Sequence, residues 1–362
     1  MFRDGPGEEQ DQRQYANREL IRRLIPFVRP HLAQMLIAAL MMGVTVALGL
    51  AGPLLIRRGI DRDIAGRDLE GLKWTAFLFI VVQLGTILVY YFMAVRLEKV
   101  GQAVMARLKK SLFAHLLGLS VDYFDVNPVG RLLSRVESDT NTLRRLLSHT
   151  ALQVASNLLM LLGMLGVMFW ADARLALATM LMLPILVGLL YWFQTKVRAR
   201  FKRVRKLAAE VSAFVAERVG GIRLIQAFGI EKQIQSRLAT VNAVKFEAAY
   251  HAEQAVIMFF NGIQMVQVLG LALVLGLGGY WVTAGSMSIG TLVLFLNYIQ
   301  RFFGPLMALS EELNVTQRAF ASADRIFGIL DTPSRVAEPT EAVSVPKAFQ
   351  TLEFREVWFA YK

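Results

Sequence analysis

A chain of 362 residues with 55% hydrophobic content and a formal net charge of +12 has the length of two soluble domains, yet its apolar residues lie in blocks longer than a soluble core uses. Cysteine is absent, which excludes a disulfide framework and a thiolate metal site, and His31, His115, His149 and His251 lack metal-ligand spacing. The basic excess would suit nucleic acid, but its placement points elsewhere.

Six segments each supply roughly 20 mainly apolar residues, enough to cross a hydrocarbon core of about 30 Å. They are Leu32 to Ile56, Leu72 to Val95, Ala151 to Ala171, Leu175 to Phe193, Ala255 to Val282 and Met287 to Leu309. The expected class is an all-α membrane protein. Lys and Arg number six before the first span, nine between the second and third, and twelve between the fourth and fifth. The other loops hold five, one and none, counting Lys73 at the start of the second span with the first of them. This asymmetry places the basic segments and both termini in the cytoplasm of an integral protein of a plasma or inner membrane, and leaves no role for nucleic acid. One segment dissents, where Arg57, Arg58, Arg62, Arg67 and Lys73 sit among Asp61, Asp63, Asp68 and Glu70.

In chain order, Met1 to Gln14 is polar and lacks the short apolar core of a cleavable signal, so the first span is expected to act as its own insertion signal. From Tyr15 to Val28, Leu20, Ile21, Leu24 and Ile25 share a helical face while Arg18, Arg22 and Arg23 lie largely elsewhere. That pattern predicts an interfacial elbow helix at the headgroup boundary, with a solvated basic helix as the competing reading. Pro26 and Pro30 are expected to end it and re-aim the chain. Residues 1–31 therefore form a tail and elbow, and residues 32–330 the membrane domain.

Some 55 residues, Arg96 to Thr150, separate the second span from the third. Val100, Val104, Leu108, Leu112, Leu116 and Leu119 recur at spacings of three and four without a proline, so the second span continues as an amphipathic helix. A helix of roughly 45 residues from Leu72 is about 68 Å long, and more than half of it stands outside the hydrocarbon. The chain turns through Ser120 to Pro128 and returns along Leu132, Val136, Leu143, Leu146 and Leu147. The architecture recurs after the fourth span: Lys196 to Val219 leads out, Gly220 to Gly229 turns, and Lys232 to Ala255 leads back. Two deep helical hairpins on one side, with short turns at Asp172 to Arg174 and Thr283 to Ser286 on the other, are suited to transmit a partner's movement into the membrane as levers.

The spans carry no Asp or Glu away from their ends, unlike the ion-coupled sites of secondary carriers. Polar residues there are candidates for a substrate pathway: Asn261, Gln264 and Gln267 on the fifth span, Asn297 and Arg301 on the sixth. Hydrogen bonding between helices is the competing explanation. For Arg301 three roles stand open: contact with an anionic substrate group, snorkelling, or pairing with an acid such as Glu312. Pro53, Pro184 and Pro305 are expected to kink their helices. After a polar helix to Leu330, residues 331–348 read as a linker. Leu352, Phe354, Val357 and Phe359 then approach the alternation of a strand, with a bulge, opening a second domain over residues 349–362.

Several of these stretches resemble the transmembrane half of a six-helix, domain-swapped ABC exporter of the multidrug or lipid-exporting kind. DYFDVNPVGRLLSRVESDT, from Asp122 to Thr140, is similar to that family's first coupling helix and the start of its third span; Arg131 stands where many members have an acid. Glu217 with GGIRLIQAFGIE, from Gly220 to Glu231, resembles the second coupling helix. ADARLALATMLMLPI (Ala171 to Ile185), SMSIGTLVLFLNYIQRFFGPL (Ser286 to Leu306), SADRIFGILD (Ser322 to Asp331) and LEFREVWFAYK (Leu352 to Lys362) agree in order and spacing.

The resemblance implies that Asp122, Tyr123, Phe124, Asp125, Gly130, Arg135 and Asp139, with Gly221, Ile222, Ile225, Phe228 and Glu231, couple the membrane domain to ATPase domains. Simple packing of each hairpin is the plainer reading. It also implies that Tyr361 stacks on adenine at the opening strand of a nucleotide-binding domain. No GxxxxGK[ST] phosphate loop occurs in these 362 residues, so this stretch alone is expected to bind neither ATP nor Mg2+ and to hydrolyse nothing. In the intact protein ATP and Mg2+ are the implied cofactors, with the motor expected beyond Lys362. The implied partners are a second transporter half, identical or not, nucleotide-binding domains, the lipid membrane and a small amphipathic substrate. A membrane scaffold or regulatory subunit is the main alternative, and an ion-coupled carrier the lesser one.

Overall fold

The computed structural model describes residues 15–333, 351 and 353–358, with backbone alone at Ser310 and Leu313. A short helix α1 (Asn17–Val28) precedes six long ones. These are α2 (Leu32–Arg58), α3 (Leu69–Leu117), α5 (Val129–Ala171), α6 (Ala173–Gly220), α8 (Glu231–Thr283) and α9 (Ile289–Leu330). Two short helices cap the hairpins, α4 (Val121–Val126) between α3 and α5, and α7 (Ile222–Phe228) between α6 and α8. Five of the expected spans lie wholly within these long helices, and the sixth, expected from Met287, begins two residues later at Ile289, after the cap Ser288. With 49 residues, α3 runs roughly 74 Å, more than twice the thickness of the hydrocarbon core.

Local chemistry sets the breaks. Asp68 caps α3 by accepting from the Gly71 N–H at 2.9 Å, and Asp172 caps α6 by accepting from Arg174 N and Leu175 N at 3.0 Å each. Pro184 cannot donate to the carbonyl four residues earlier and its ring crowds it; the helix yields at Leu181, between Met180 and Met182. Pro53 and Pro305 stay inside α2 and α9. Contrary to the sequence expectation, Pro26 does not end α1: the helix runs on to Val28, and the redirection falls in a 3-10 turn at Arg29–His31 that contains Pro30. Single π-helical turns interrupt α5 at Arg135–Asp139 and Leu146–Thr150, α6 at Phe193–Val197 and α8 at Val274–Gly278.

Three apolar clusters hold the bundle among the described residues, the smallest being Ala38 and Met42 of α2 with Met93 and Leu97 of α3. In the membrane region, Met164, Met168, Leu175, Leu186, Phe259, Val274, Phe295 and Tyr298 join α5, α6, α8 and α9. At the hairpin end, Val100, Val104, Leu108, Leu112, Leu116 and Leu119 are all buried, as their spacing predicts, against Leu132 and Leu143 of α5 and Ala319, Ala323 and Ile326 of α9. Each leucine fully withdrawn from water contributes roughly 1.5–3 kcal/mol. Leu20 and Leu24 of α1 enter this same cluster, whereas Ile21 and Ile25 remain exposed. The elbow therefore spends half of its apolar face on protein, which the sequence reading assigned wholly to the headgroup boundary.

At the short-loop end the dissenting charged segment is partly self-neutralised. Arg57 pairs with Asp61 at 3.6 Å and Lys73 with Glu70 at 3.1 Å, and the buried Asp63 accepts from Thr75 Oγ1 at 2.6 Å. Asp61 also accepts from Ser288 Oγ at 2.6 Å and from the Gly290 N–H at 2.7 Å, tying the α2–α3 turn to the start of α9. Glycine is required at 290 because a Cβ there would stand 2.6 Å from the Arg57 carbonyl oxygen. No β-strand occurs among the described residues; residues 353–358 are exposed and non-helical. A strand needs a neighbour for its N–H and C=O groups, and none of the described elements pairs with these residues. Tyr361, Leu352, Phe359 and residues 334–348 of the expected linker lie outside the described residues.

Candidate functional site

The tip of the first hairpin is α4, entered at Ser120 and closed where the Asn127 amide donates to the Tyr123 carbonyl at 3.0 Å. Its two aromatic rings part company. Tyr123 packs inward on the hairpin cluster, and Phe124, edge-on to it with centroids 5.7 Å apart, faces outward. Asp122 and Asp125 are exposed beside it, as are Val121, Val126 and Val129, so a continuous apolar surface tops the hairpin. Gly130 follows in the first turn of α5 with no heavy atom within 4 Å of where a Cβ would stand.

The second tip is α7. Gly229 adopts φ 64°, the left-handed conformation that ends a helix, and the Ile230 N–H returns to the Ile225 carbonyl at 3.2 Å. Spacing by three placed Ile222, Ile225 and Phe228 in one patch. The structure separates them: Ile225 is 7% exposed and anchors α7, while Phe228 is 73% and Leu224 64% exposed. Leu224, which sequence reasoning passed over, therefore shares the outward face with Phe228, while Ile222, at the start of the helix, is exposed on another side. A helical i, i+4 reading of Leu224 and Phe228 would have found it. Gly221 forms the turn before α7, and Glu231 opens α8 at a helix N-terminus that favours its charge.

Two residues expected at the first coupling surface sit elsewhere. Asp139 is buried, accepts from Ser322 Oγ at 2.9 Å and takes both Nε (3.0 Å) and Nη2 (2.6 Å) of Arg325. It is thus a strut between α5 and α9, 186 residues apart in the chain, and not a surface contact. Arg135 is half-buried on the π-helical turn leading to it. Nearby, Lys109 donates to Glu137 at 2.7 Å, bracing the hairpin's two arms, and this hydrogen bond holds the Glu137 carboxyl below its ordinary pKa.

A second tether fastens the elbow to the end of α9. The Tyr15 N–H donates to Asp324 at 2.9 Å, and the Tyr15 hydroxyl and Arg23 both donate to Asp331. Arg23 stacks over the Tyr15 ring at 4.3 Å, and His115 of α3 lies 3.0 Å from the Thr332 carbonyl oxygen. Asp331 is held below its ordinary pKa by the Tyr15 hydrogen bond first and by Arg23 after it, and the Tyr15 phenol is raised by the same hydrogen bond.

The polar residues expected to line a pathway divide. Asn261 and Gln264 are exposed on α8 and Gln267 half-buried. Asn297 donates to its own helix at the Val293 carbonyl, 2.9 Å away. Arg301 is exposed one turn beyond it, and Glu312, the suggested partner, instead approaches His149 at 3.8 Å. Sequence reasoning missed a further polar feature. His149, Gln153 and Asn157 of α5, spaced by four, line a cavity of about 490 Å³ between α2, α3 and α5. Their period of four within an apolar span was the available signal.

Long helices continuous through apolar spans into two hairpins with exposed apolar tips define a polytopic integral membrane domain of the six-helix transport class. Residues 35–306 match the ABC transporter transmembrane region, and the chain belongs to that family. It is 27% identical over 341 residues to the ABC transporter ATP-binding protein YfiC of Bacillus subtilis, covering 94% of this chain and 56% of that protein. It is 26% identical over 343 residues to the ATP-dependent lipid A-core flippase of Syntrophus aciditrophicus (95% and 57%). It is 22% identical over 323 residues to the multidrug resistance-like ATP-binding protein MdlB of Buchnera aphidicola (87% and 55%). The chain thus spans a little over half the length of these relatives.

Proposed function

We propose that this chain is the transmembrane half of an ATP-driven exporter that carries amphipathic molecules such as lipids, drugs or peptides by alternating access. The observation that carries the reading is the pair of exposed apolar tips, α4 and α7, each at the end of helices continuous with spans. Aromatic and aliphatic anchors seated in pockets dominate small interfaces, and Phe124, Phe228 and Leu224 are such anchors. ATPase domains seat on these tips, and rigid helices convert their closure into movement of the spans. The names of the relatives, a lipid A-core flippase and a multidrug resistance-like protein, support the substrate class and the use of ATP.

In this reading the hairpin end is cytoplasmic, as the basic residues require, and the membrane is the plasma or inner membrane. Two halves assemble, with the second hairpin reaching towards the partner half. ATP and Mg2+ belong to the nucleotide-binding domains, where Tyr361 contributes an adenine-stacking ring. Residues 331–348 are the linker to that domain and residues 349–362 its opening segment. Asn261, Gln264 and Arg301, exposed on one half, line the passage between two, with the half-buried Gln267 at its edge.

The test uses the complete protein in lipid vesicles. Phe124→Ala and Phe228→Ala are expected to leave basal ATP hydrolysis within about twofold and to abolish its stimulation by substrate, together with transport. Normal transport by both variants would sink the docking assignment.

A further inference from the structure

The densest charge in the molecule lies where α6 leaves its apolar stretch. Residues 196–206 hold seven Lys and Arg and no acid. Arg198 and Arg205 of this run, with Phe201 between them, line one wall of a cleft of about 660 Å³, and Arg318 of α9, with Gln317 beside it, lines the other. That volume falls within the roughly 300–1,000 Å³ of small-molecule sites.

The cleft is pinned at one end. Both helices run from the short-loop end towards the hairpins, so equal rises beyond their apolar stretches lie at similar depth. Arg198 follows Phe193 by five residues and Asn314 follows Leu309 by five, a rise of about 8 Å in each. Arg198 donates to the Asn314 side-chain oxygen, which closes the cleft near the headgroup level. Arg205 and Arg318 lie about 11 and 6 Å farther along their helices. Both are exposed, and among the described residues neither has a hydrogen-bond or ion-pair partner. The acid of the cleft, Glu311, does not cover them: it stands about 10 Å of rise from Arg318, between the Arg198–Asn314 bond and the apolar stretch. Arg200, by contrast, is committed to the His251 carbonyl of α8 at 3.0 Å.

Two guanidiniums on facing walls repel each other, and an anion between them removes that repulsion. The planar fork of arginine matches phosphate in particular, two N–H groups to two oxygens. A terminal phosphate carries close to two negative charges at neutral pH, the charge that Arg205 and Arg318 together balance. Gln317 adds a neutral amide donor, and Phe201 offers apolar surface to the carbon that bears the phosphate.

We propose that this cleft is a site for a doubly charged terminal phosphate, held between Arg205 and Arg318 with the Arg198–Asn314 bond as its roof. The phosphate arrives either on a lipid headgroup reaching down from the adjoining leaflet or as a free ion from solution, and the recognition chemistry is the same. An occupant ties the open second hairpin to α9. The site rests on the geometry of one half and not on the exporter reading.

The test uses the complete protein in phosphatidylcholine nanodiscs without nucleotide. Phenylglyoxal, which modifies accessible guanidiniums, is applied with rising amounts of phosphatidic acid in the disc or of inorganic phosphate in solution, and each arginine is followed by mass spectrometry. Arg205 and Arg318 are expected to be protected together at one half-saturation point, while Arg203 on the same helix is not. Protection by phosphatidic acid alone marks a lipid headgroup, protection by inorganic phosphate marks a soluble source, and either supports the site. In Arg205→Gln the half-saturation read at Arg318 is expected to rise about tenfold, and in Arg318→Gln that read at Arg205 likewise, the scale of one lost charged hydrogen bond. Arg203→Gln is expected to shift both by less than about threefold, since a charge outside the cleft acts through screened solvent. The substituted side chains are all exposed, so folding is not at stake. No protection, equal protection of Arg200 and Arg203, or half-saturation at one arginine unmoved by substitution of the other overturns the proposal and leaves diffuse surface charge.

Discussion

The two hairpins are built from the same parts and held in opposite ways. In the first, the apolar stripe of α3 from Val100 to Leu119 is buried beneath α1, α5 and α9. In the second, no residue of Arg198–Gly220 is buried, and among residues 198–251 Ile225 alone is. Phe201, Val204, Leu207, Val211 and Phe214 are half-covered along the seam with α8, because two helices without a third leave each stripe one open flank. One hairpin is finished within its own half, and the other has a face to spare. The proposed assembly of two halves would use that inequality: the first hairpin stabilises its own half, and the second is available to another.

The largest expected effect lies in the first hairpin. Leu112→Ala removes a fully buried side chain and is expected to cost about 2–5 kcal/mol, read as a lowered midpoint of thermal unfolding in detergent. Val211→Ala at the half-covered seam is expected to cost under about 1.5 kcal/mol in a dissociated half. Equal losses would erase the distinction. A second half covering the seam would sharpen it, making Val211→Ala more harmful in the assembled protein than in the separated one.

Next comes the Asp139 strut. Arg325→Ala leaves a buried carboxylate with one of its partners gone. Because Arg325 is one-third exposed, the loss is set at about 2–3 kcal/mol, below the 3–5 kcal/mol of a wholly buried pair. Asp139→Asn with Arg325→Met is expected to recover part of it, measurable by the same unfolding midpoint.

At the tips the expectation reverses. Phe228→Ala changes an exposed side chain and is expected to move stability by less than about 0.5 kcal/mol while uncoupling transport. A large stability loss there would mean that α7 is packed and not presented.

The smallest effect concerns the elbow tether. Asp331 has its pKa lowered from 3.8 and Tyr15 raised from 10.0. The Asp331 contribution is therefore complete above pH 3.8 and lost as pH falls through the lowered value. The Tyr15 contribution is complete below pH 10.0 and lost as pH rises through the raised value. Hydrogen exchange of residues 17–28, corrected for its intrinsic pH dependence, is expected to report constant protection between those limits. Asp331→Asn is expected to lower protection modestly at neutral pH, and unchanged protection in that variant would contradict the tether.

Periodicity made the spans, the long α3 and the buried stripe from Val100 to Leu119 legible, because a 3.6-residue repeat over six turns survives in one dimension. The tips were legible as turns but not as surfaces. A seven-residue helix such as α7 is too short for its buried side to be read from spacing, so Ile225 and Leu224 exchanged places. Asp139 was read beside its sequence neighbours, whereas its partners Ser322 and Arg325 come from α9. The elbow's apolar face was read as lipid-seeking because a membrane and a protein core present the same chemistry to a leucine.

By itself the sequence determined a six-span membrane domain with two deep hairpins gathered on its basic side, since hydropathy, helix length and the placement of Lys and Arg are local properties summed along the chain. Only the tertiary structure decided which hairpin is covered and which is left open, which charges are struts, and that His149, Gln153 and Asn157 line one cavity. Those outcomes depend on which helix faces which, and burial belongs to the assembly of helices and to no one of them.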